Sequence, residues 1–335
     1  MALKSKSKEI IFIFLFLVTV SSSIFAKEIT IVDKLGRKIT INTPVKRAVV
    51  IMAPELIPAL GLWNQVVGVS YWVYREYKFF SYIKPDWKKK VLPVGSGMGK
   101  DIDMETLLKL KPDVIITGPF YPEVVKFMEK HGLKVITINP ETISEFYKVI
   151  KLFGLIFGKE NKANFLINEM NKTLNLIQKR LVQVSKPKKV VWIYRLAPLG
   201  IACKGAIIDD IFKKLKTINV CDLIKPNCNV IANISIEDLI KYNPDVIFIW
   251  GFTRAKPEDI IHNSQWQSIK AVKENKVYKA PRNLGTWSPS LVILSLWTAV
   301  RVYPEYFKDI NFIKYSNSFY LKIFGVPYTK VVVNE

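Results

Sequence analysis

The sequence predicts an α/β protein of two similar lobes, each built on a mostly parallel sheet and joined by one long helix. Three observations carry that reading. One helix-to-strand unit occurs twice, as Met104 to Thr117 and as Ile236 to Ile249. Glutamate falls on glutamate, lysine on lysine and Pro-Asp-Val-Ile on Pro-Asp-Val-Ile, at an offset of 132 (237 − 105). Along the whole chain, β-branched apolar runs alternate with amphipathic helical patterns, as in sheets built by crossover connections. Between the two copies, residues 161 to about 184 keep a helical apolar spacing without glycine or proline. A helix of some 24 residues would span roughly 36 Å, enough to cross a lobe. At 335 residues the chain can hold two domains, each with its own core. Ligands often sit between such lobes, so a cleft there is expected.

The chain opens with Lys4, Lys6 and Lys8, an apolar run from Ile10 to Val20, and small residues from Ser21 to Ala26. That order of basic, apolar and small-residue regions reads as a secretory signal peptide cleaved after about Ala26, the alternative being an uncleaved anchor. No cysteine follows the apolar run, which argues against a lipid anchor. Next, residues 28–33 and 38–41 alternate β-branched and polar residues around Gly36, the pattern of a hairpin. Ala48 to Ile51 and Val66 to Ser70 read as buried strands, separated by a helix through Ala59-Leu60-Gly61. A loop crowded with aromatic and cationic groups follows, including Tyr71, Trp72, Tyr74, Arg75, Tyr77, Phe79 and Phe80.

Residues 95–100 are rich in glycine, yet they do not form a phosphate loop. The Gly99-Lys100 pair is followed by Asp101 rather than Ser or Thr, and valine stands at 94 where the first glycine belongs. The first repeat comes next, its helix stopping before Pro112 and its strand entering at Val114, because the residue before proline disfavours helical geometry. The strand ends at Thr117-Gly118-Pro119-Phe120-Tyr121. A helix to Gly132, a strand at 134–138 and a helix begun by the capping-box spacing of Thr142 and Glu145 complete the first half. The second half repeats the plan with strands at 190–194, 246–249 and 276–280. Its closing helices run from Ser290 through Val300 and from about 310 to Phe324.

The formal charge is +22, and loss of three lysines and one glutamate with the signal leaves about +20. The lysines are scattered rather than gathered in one tract, and the chain is read as exported, so nucleic acid is not the expected partner. Cys221 and Cys228 are close enough in sequence to close a small disulfide loop, with Cys203 left over, or all three are buried free thiols. Two histidines and no Cys-x-x-Cys argue against a zinc site. Neither Gly-x-Ser-x-Gly nor His-Glu-x-x-His is present, and Asp209 and Asp210 lie at a helix start where the dipole accounts for them. The chain is therefore not read as an enzyme. A secreted hydrolase, which would need a cleft carboxylate pair, is the reading of another class.

Binding residues are expected at the C-terminal ends of the strands, where open α/β sheets hold ligands. Tyr71, Trp72, Tyr74, Arg75, Phe120 and Tyr121 stand there in the first half; Arg195, Trp250, Phe252, Arg254, Arg282 and Trp287 stand there in the second. Aromatic walls give contact area at low entropic cost, and arginines offer a fixed donor fork to carboxylate or oxyanion oxygens.

The ordered series Arg47-Ala48-Val49-Val50, Ala59-Leu60-Gly61, Val67-Gly68-Val69-Ser70, the 95–99 loop, Glu105 and Lys111-Pro112-Asp113-Val114-Ile115 resembles the periplasmic iron-siderophore and cobalamin-binding family. The long crossing helix, residues 236–249 and Tyr303-Pro304-Glu305 extend the likeness over nearly the whole mature chain. The resemblance implies two Rossmann-like lobes joined by a rigid helix, with little closure around a ligand held between them. It implies boundaries of 1–26 for the signal, 27–155 and 188–335 for the lobes, and 156–187 for the helix. It further implies a monomeric solute-binding component of an ABC importer, working with a membrane permease and its ATPase and carrying no cofactor of its own. Glu105 and Glu237 match the glutamates with which the family docks onto the permease. Ligand contacts are expected from Pro54, Tyr71, Trp72, Tyr74, Arg75, Met98, Phe120, Arg195, Trp250, Arg254, Arg282 and Trp287. The expected cargo is an anionic ferric siderophore, with a corrinoid, haem, a nickel chelate, or molybdate and tungstate as alternatives.

Overall fold

A computed structural model describes residues 27–96, 101–282 and 284–331. The expected signal segment and Met98 therefore lie outside the described residues. The chain begins with the hairpin β1 (Lys27–Val32) and β2 (Lys38–Thr43), paired antiparallel with Ile29 opposite Ile41. Asp33 closes the turn, accepting from the backbone N–H groups of Leu35 and Arg37 and from the Arg37 guanidinium. It also accepts from the Thr137 N–H and hydroxyl, which ties the hairpin to the first lobe.

The first lobe then runs β3 (Ala48–Val50), α1 (Leu56–Leu60), β4 (Val66–Val69), α2 (Tyr71–Glu76), α3 (Lys78–Ile83) and β5 (Leu92–Pro93). It continues with α4 (Met104–Leu110), β6 (Val114–Thr117), α5 (Pro122–Lys130), β7 (Val135–Thr137) and α6 (Ile143–Phe157). Its five strands pair in the order β5-β4-β3-β6-β7, all parallel. Every residue of β3, β6 and β7 is buried, as a sheet covered by helices on both faces requires. The aromatic stretch expected as a loop folds instead into α2 and α3. The Ser70 hydroxyl caps α2 by accepting from the Val73 N–H at 3.3 Å, and Phe79 and Phe80 are buried on α3.

The connecting helix α7 (Glu160–Arg180) has 21 residues, with Ala163, Leu166, Met170, Leu174 and Ile177 buried along one stripe. It is shorter than the expected 156–187 element, because Gly158, left-handed at φ 64, closes α6 just before it.

The second lobe comprises β8 (Lys189–Leu196), β9 (Leu199–Ala202), α8 (Ile207–Lys214), β10 (Ile218–Asn219), α9 (Val220–Ile224) and β11 (Ile231–Asn233). After these come α10 (Ile236–Tyr242), β12 (Val246–Ile249), α11 (Pro257–Ile261), α12 (Lys270–Lys273) and β13 (Val277–Lys279). The chain ends in α13 (Leu291–Val302), α14 (Phe312–Phe324) and α15 (Tyr328–Val331). The sheet path is β11-β9-β8-β12-β13 with β10 beside β8; β8, β10, β12 and β13 pair in parallel, whereas β9 runs antiparallel to both its neighbours, β8 and β11.

The two copies of the repeat prove structurally equivalent. In α4 and α10 the first-turn N–H is capped by Asp103 and Ser235, and the helices end on left-handed Lys111 (φ 46) and Asn243 (φ 49). The aspartate of each Pro-Asp pair then clamps the strand beside it. Asp113 accepts from the Lys46 and Arg47 N–H groups ahead of β3, both at 2.8 Å, and Asp245 accepts from the Lys189 N–H of β8 at 2.8 Å.

Two features were not expected. The last helices leave the second lobe: α14 packs on α1 and α15 on α3, with Phe79 meeting Phe324 edge to face at 5.0 Å. A continuous apolar core also joins the lobes, containing Val50 and Ile116 from the first and Trp192 and Phe248 from the second. Shared packing of this kind resists large hinge motion, since close-packed interiors deform little.

The disulfide joins Cys203 to Cys221, not Cys221 to Cys228. Sequence proximity misled here. The end of β9 and the start of α9 bring the first two Cα atoms to 5.3 Å, and Cys228 stays a free thiol in the following loop.

Candidate ligand cleft

The C-terminal ends of the parallel strands of both lobes supply the facing aromatic groups. Capping by Ser70 starts α2 directly at the exit of β4, which puts Tyr71 and Trp72 there. Trp72 is 39% exposed and meets Phe252 of the other lobe edge to face, ring centroids 5.2 Å apart. At the exit of β6, Phe120 is 37% exposed and lies 6.3 Å from Trp287. The Trp287 indole N–H donates to the Pro140 carbonyl at 3.1 Å, a bond from the second half of the chain to the first. At the exit of β12, Trp250 contacts Tyr194 at 5.5 Å and Phe252 at 5.3 Å. Gly251 permits this crowding, since a Cβ there would lie 2.5 Å from the Ala280 carbonyl oxygen.

The arginines are distributed around these rings. Arg282 stands over Phe252 at 5.8 Å, and Arg75 over Tyr71 at 5.2 Å. Arg195 lies across Gly200 and donates to the Asn233 side-chain oxygen at 2.5 Å. Arg254 is exposed in the turn after β12.

Other expected contacts are placed differently. Tyr74 sits two residues from Trp72 on the same helix, hence on another face. It packs edge to face on Trp87 at 5.5 Å with the Lys88 ammonium above it. Pro54 is buried in the turn that precedes α1. Tyr71 holds its place through its N–H to the Gly95 carbonyl, at 2.7 Å.

Sequence reasoning missed two participants. Glu55 is buried, and its carboxylate accepts from the Tyr77 hydroxyl at 2.5 Å. Burial pushes its carboxyl pKa up to about 7, against the opposing pull of that hydrogen bond. Burial and the adjacent carboxylate likewise push the Tyr77 hydroxyl well above its usual value. A lone acid in the apolar run Ile51 to Leu60 was the available signal.

A depression of about 590 Å³ opens at the opposite, N-terminal ends of the first sheet's strands, lined by Thr43, Lys46, Asp113 and Lys134 among others. It has no aromatic lining, and its Asp113 carboxylate is already committed to backbone N–H groups, so it carries no ligand argument. Among the described residues no group of three His, Cys, Asp or Glu side chains is gathered to hold a metal ion, and no helix is long and apolar enough to cross a membrane. Glu105 and Glu237 occupy the second position of α4 and α10 and are exposed. Glu105 pairs with Lys109 at 2.6 Å.

The periplasmic binding protein family matches residues 54–284, more than half of the chain. The chain belongs to the periplasmic binding protein family. The molybdate-binding protein MolA of Haemophilus influenzae is 26% identical over 340 residues, covering 93% of this binding protein and 95% of that relative. The Fe(3+)-citrate-binding protein YfmC of Bacillus subtilis is 26% identical over 270 residues, covering 76% and 78% respectively. Among solved structures, Helicobacter pylori CeuE in its nickel–histidine complex superposes with a TM-score of 0.79 at 27% identity. That superposition covers 92% of this binding protein and all of CeuE. The two-lobed α/β fold of this binding protein is shared with CeuE and with MolA, the latter solved as the periplasmic binding protein of an ABC transporter.

Proposed function

We propose that this protein captures a small anionic metal complex between its lobes and delivers it to an ABC permease, with a ferric chelate as the leading cargo. The observation that carries the reading is the pairing of Trp72 with Phe252 and of Phe120 with Trp287, with Arg282 standing over the first pair. Aromatic faces pack against the organic part of a chelate, while guanidinium groups bind its carboxylate or catecholate oxygens. Export after cleavage near Ala26 and docking through Glu105 and Glu237 belong to the same proposal, as does a metal that arrives only with its ligand.

Molybdate is the second reading, favoured by the relative MolA, whose match extends over 93% of this chain. Quenching of tryptophan emission by ferric citrate, ferric catecholate and hydroxamate siderophores, nickel–histidine and molybdate tests both. Saturable quenching by a ferric chelate supports the first reading, and quenching by molybdate alone replaces it with the second. Absence of binding by all of them overturns the proposal.

A further inference from the structure

Beneath the cleft rings lies a carboxylate that the capture of an anion does not require. Glu55 follows Ala53, whose φ of 53 turns the chain sharply out of β3, and the acid is 7% exposed. On one side the Tyr77 hydroxyl donates to it, and the Tyr77 ring packs against Trp72 with centroids 5.2 Å apart. On the other side Gly285 comes so close that a Cβ there would lie 3.0 Å from the same carboxylate oxygen. Gly285 is two residues from Trp287. The carboxylate thus holds the ring that packs under Trp72 and lies close to the turn that leads to Trp287. Among the described residues no lysine or arginine is paired with it, and the titratable groups facing it are Tyr77 and, from α14, Tyr320. Tyr328 and Arg301 lie beyond Tyr320.

We propose that Glu55 is a proton-operated positioning residue of the cleft, its charge state setting how Trp72 and Trp287 pack. Ionised, it holds the Tyr77 hydroxyl in a charge-assisted bond; protonated, it accepts that bond more weakly and Tyr77 is less firmly fixed under Trp72. The group's environment places the change near pH 7. The importance of the change for capture rests on the cleft being the binding site, but the positioning itself needs no ligand.

The test is intrinsic tryptophan emission of the ligand-free protein from pH 5 to 9. The wild type is expected to show one transition centred near pH 7, with part of its amplitude lost in W72F and in W287F. Glu55→Gln, uncharged and nearly isosteric, removes the transition, which assigns it to this carboxylate rather than to another group. Tyr77→Phe moves the midpoint upward, because the lost hydrogen bond had favoured the charged form. Infrared difference spectra of the wild type should show a buried carboxylic C=O band growing in below the same midpoint, a reading that stands even where E55Q fails to fold. A flat wild-type profile, a transition that persists in E55Q, or an unmoved midpoint in Y77F overturns the proposal. A transition without binding of any chelate would leave this inference standing and remove the proposed cargo alone.

Discussion

Trp72 and Phe252 meet edge to face with ring centroids 5.2 Å apart, although one belongs to the first lobe and the other to the second. The pair stands at the proposed cleft and is itself flanked, by Tyr77 behind Trp72 and by Arg282 over Phe252. Truncating either ring therefore removes an inter-lobe contact and, on the proposed function, a ligand wall with it.

Trp72→Ala and Phe252→Ala are each expected to weaken chelate binding about tenfold, since an aromatic pair of this kind contributes roughly 0.5–1.5 kcal/mol beyond its buried area. Tyr74→Ala, a change on the face of α2 that packs against Trp87, should leave affinity within about twofold and lower thermal stability instead. Titration of tryptophan quenching alongside thermal melts separates the two classes. Equal loss of affinity in all three variants would remove Trp72 from its assigned place.

Charge reversal at Glu105 and Glu237 addresses the permease. Both carboxylates are exposed, and the Lys109 partner of Glu105 is a surface pair of the kind that contributes under about 1 kcal/mol. Glu105→Lys with Glu237→Lys should abolish uptake in a reconstituted transporter while stability and ligand affinity stay at wild-type values. Retained uptake would show that docking uses other residues.

Removing the Cys203–Cys221 disulfide by Cys203→Ser should cost about 3 kcal/mol for a loop of this size, or on the order of 5 °C in Tm. Cys228→Ser should leave the melting curve in place, because that thiol is free. Labelling with a thiol reagent before and after reduction, read by mass spectrometry, identifies which cysteines are protected.

Asp33 predicts an acid limit to stability. Burial alone would raise its carboxyl pKa, but hydrogen bonds from Arg37 and Thr137 outweigh burial and the net shift is below the ordinary 3.8. A depressed folded-state pKa contributes stability above the unfolded value, and that stability is lost as pH falls through the folded one. Unfolding free energy should therefore drop below about pH 4, and Asp33→Asn should cost roughly 2 kcal/mol at neutral pH while flattening that part of the profile. Urea titrations at several pH values measure both.

Much of the fold was legible in the sequence because burial on both faces of a strand leaves an apolar, β-branched run, and a helix leaves a spacing of three and four. The repeat at Glu105 and Glu237 showed that the lobes were alike. The strand exits were expected to carry Trp72, Phe120, Trp250 and Trp287, and the structure has Trp72 against Phe252 and Phe120 near Trp287. Less legible was the aromatic stretch 71–80, where packing turned an expected loop into two helices. The direction of Tyr74 depended on the same packing.

By itself, then, the sequence determined the two lobes, most of their parallel core strands, the connecting helix and the strand ends that face the other lobe. All of these follow from local periodicity and from the stereochemistry of glycine and proline. Only the tertiary structure decided that Trp72 meets Phe252, that Cys203 takes Cys221, that α14 returns to the first lobe, and that Glu55 lies buried between Tyr77 and Gly285. These relationships join residues far apart in the chain, and their geometry is set by how whole elements pack, which no local pattern records.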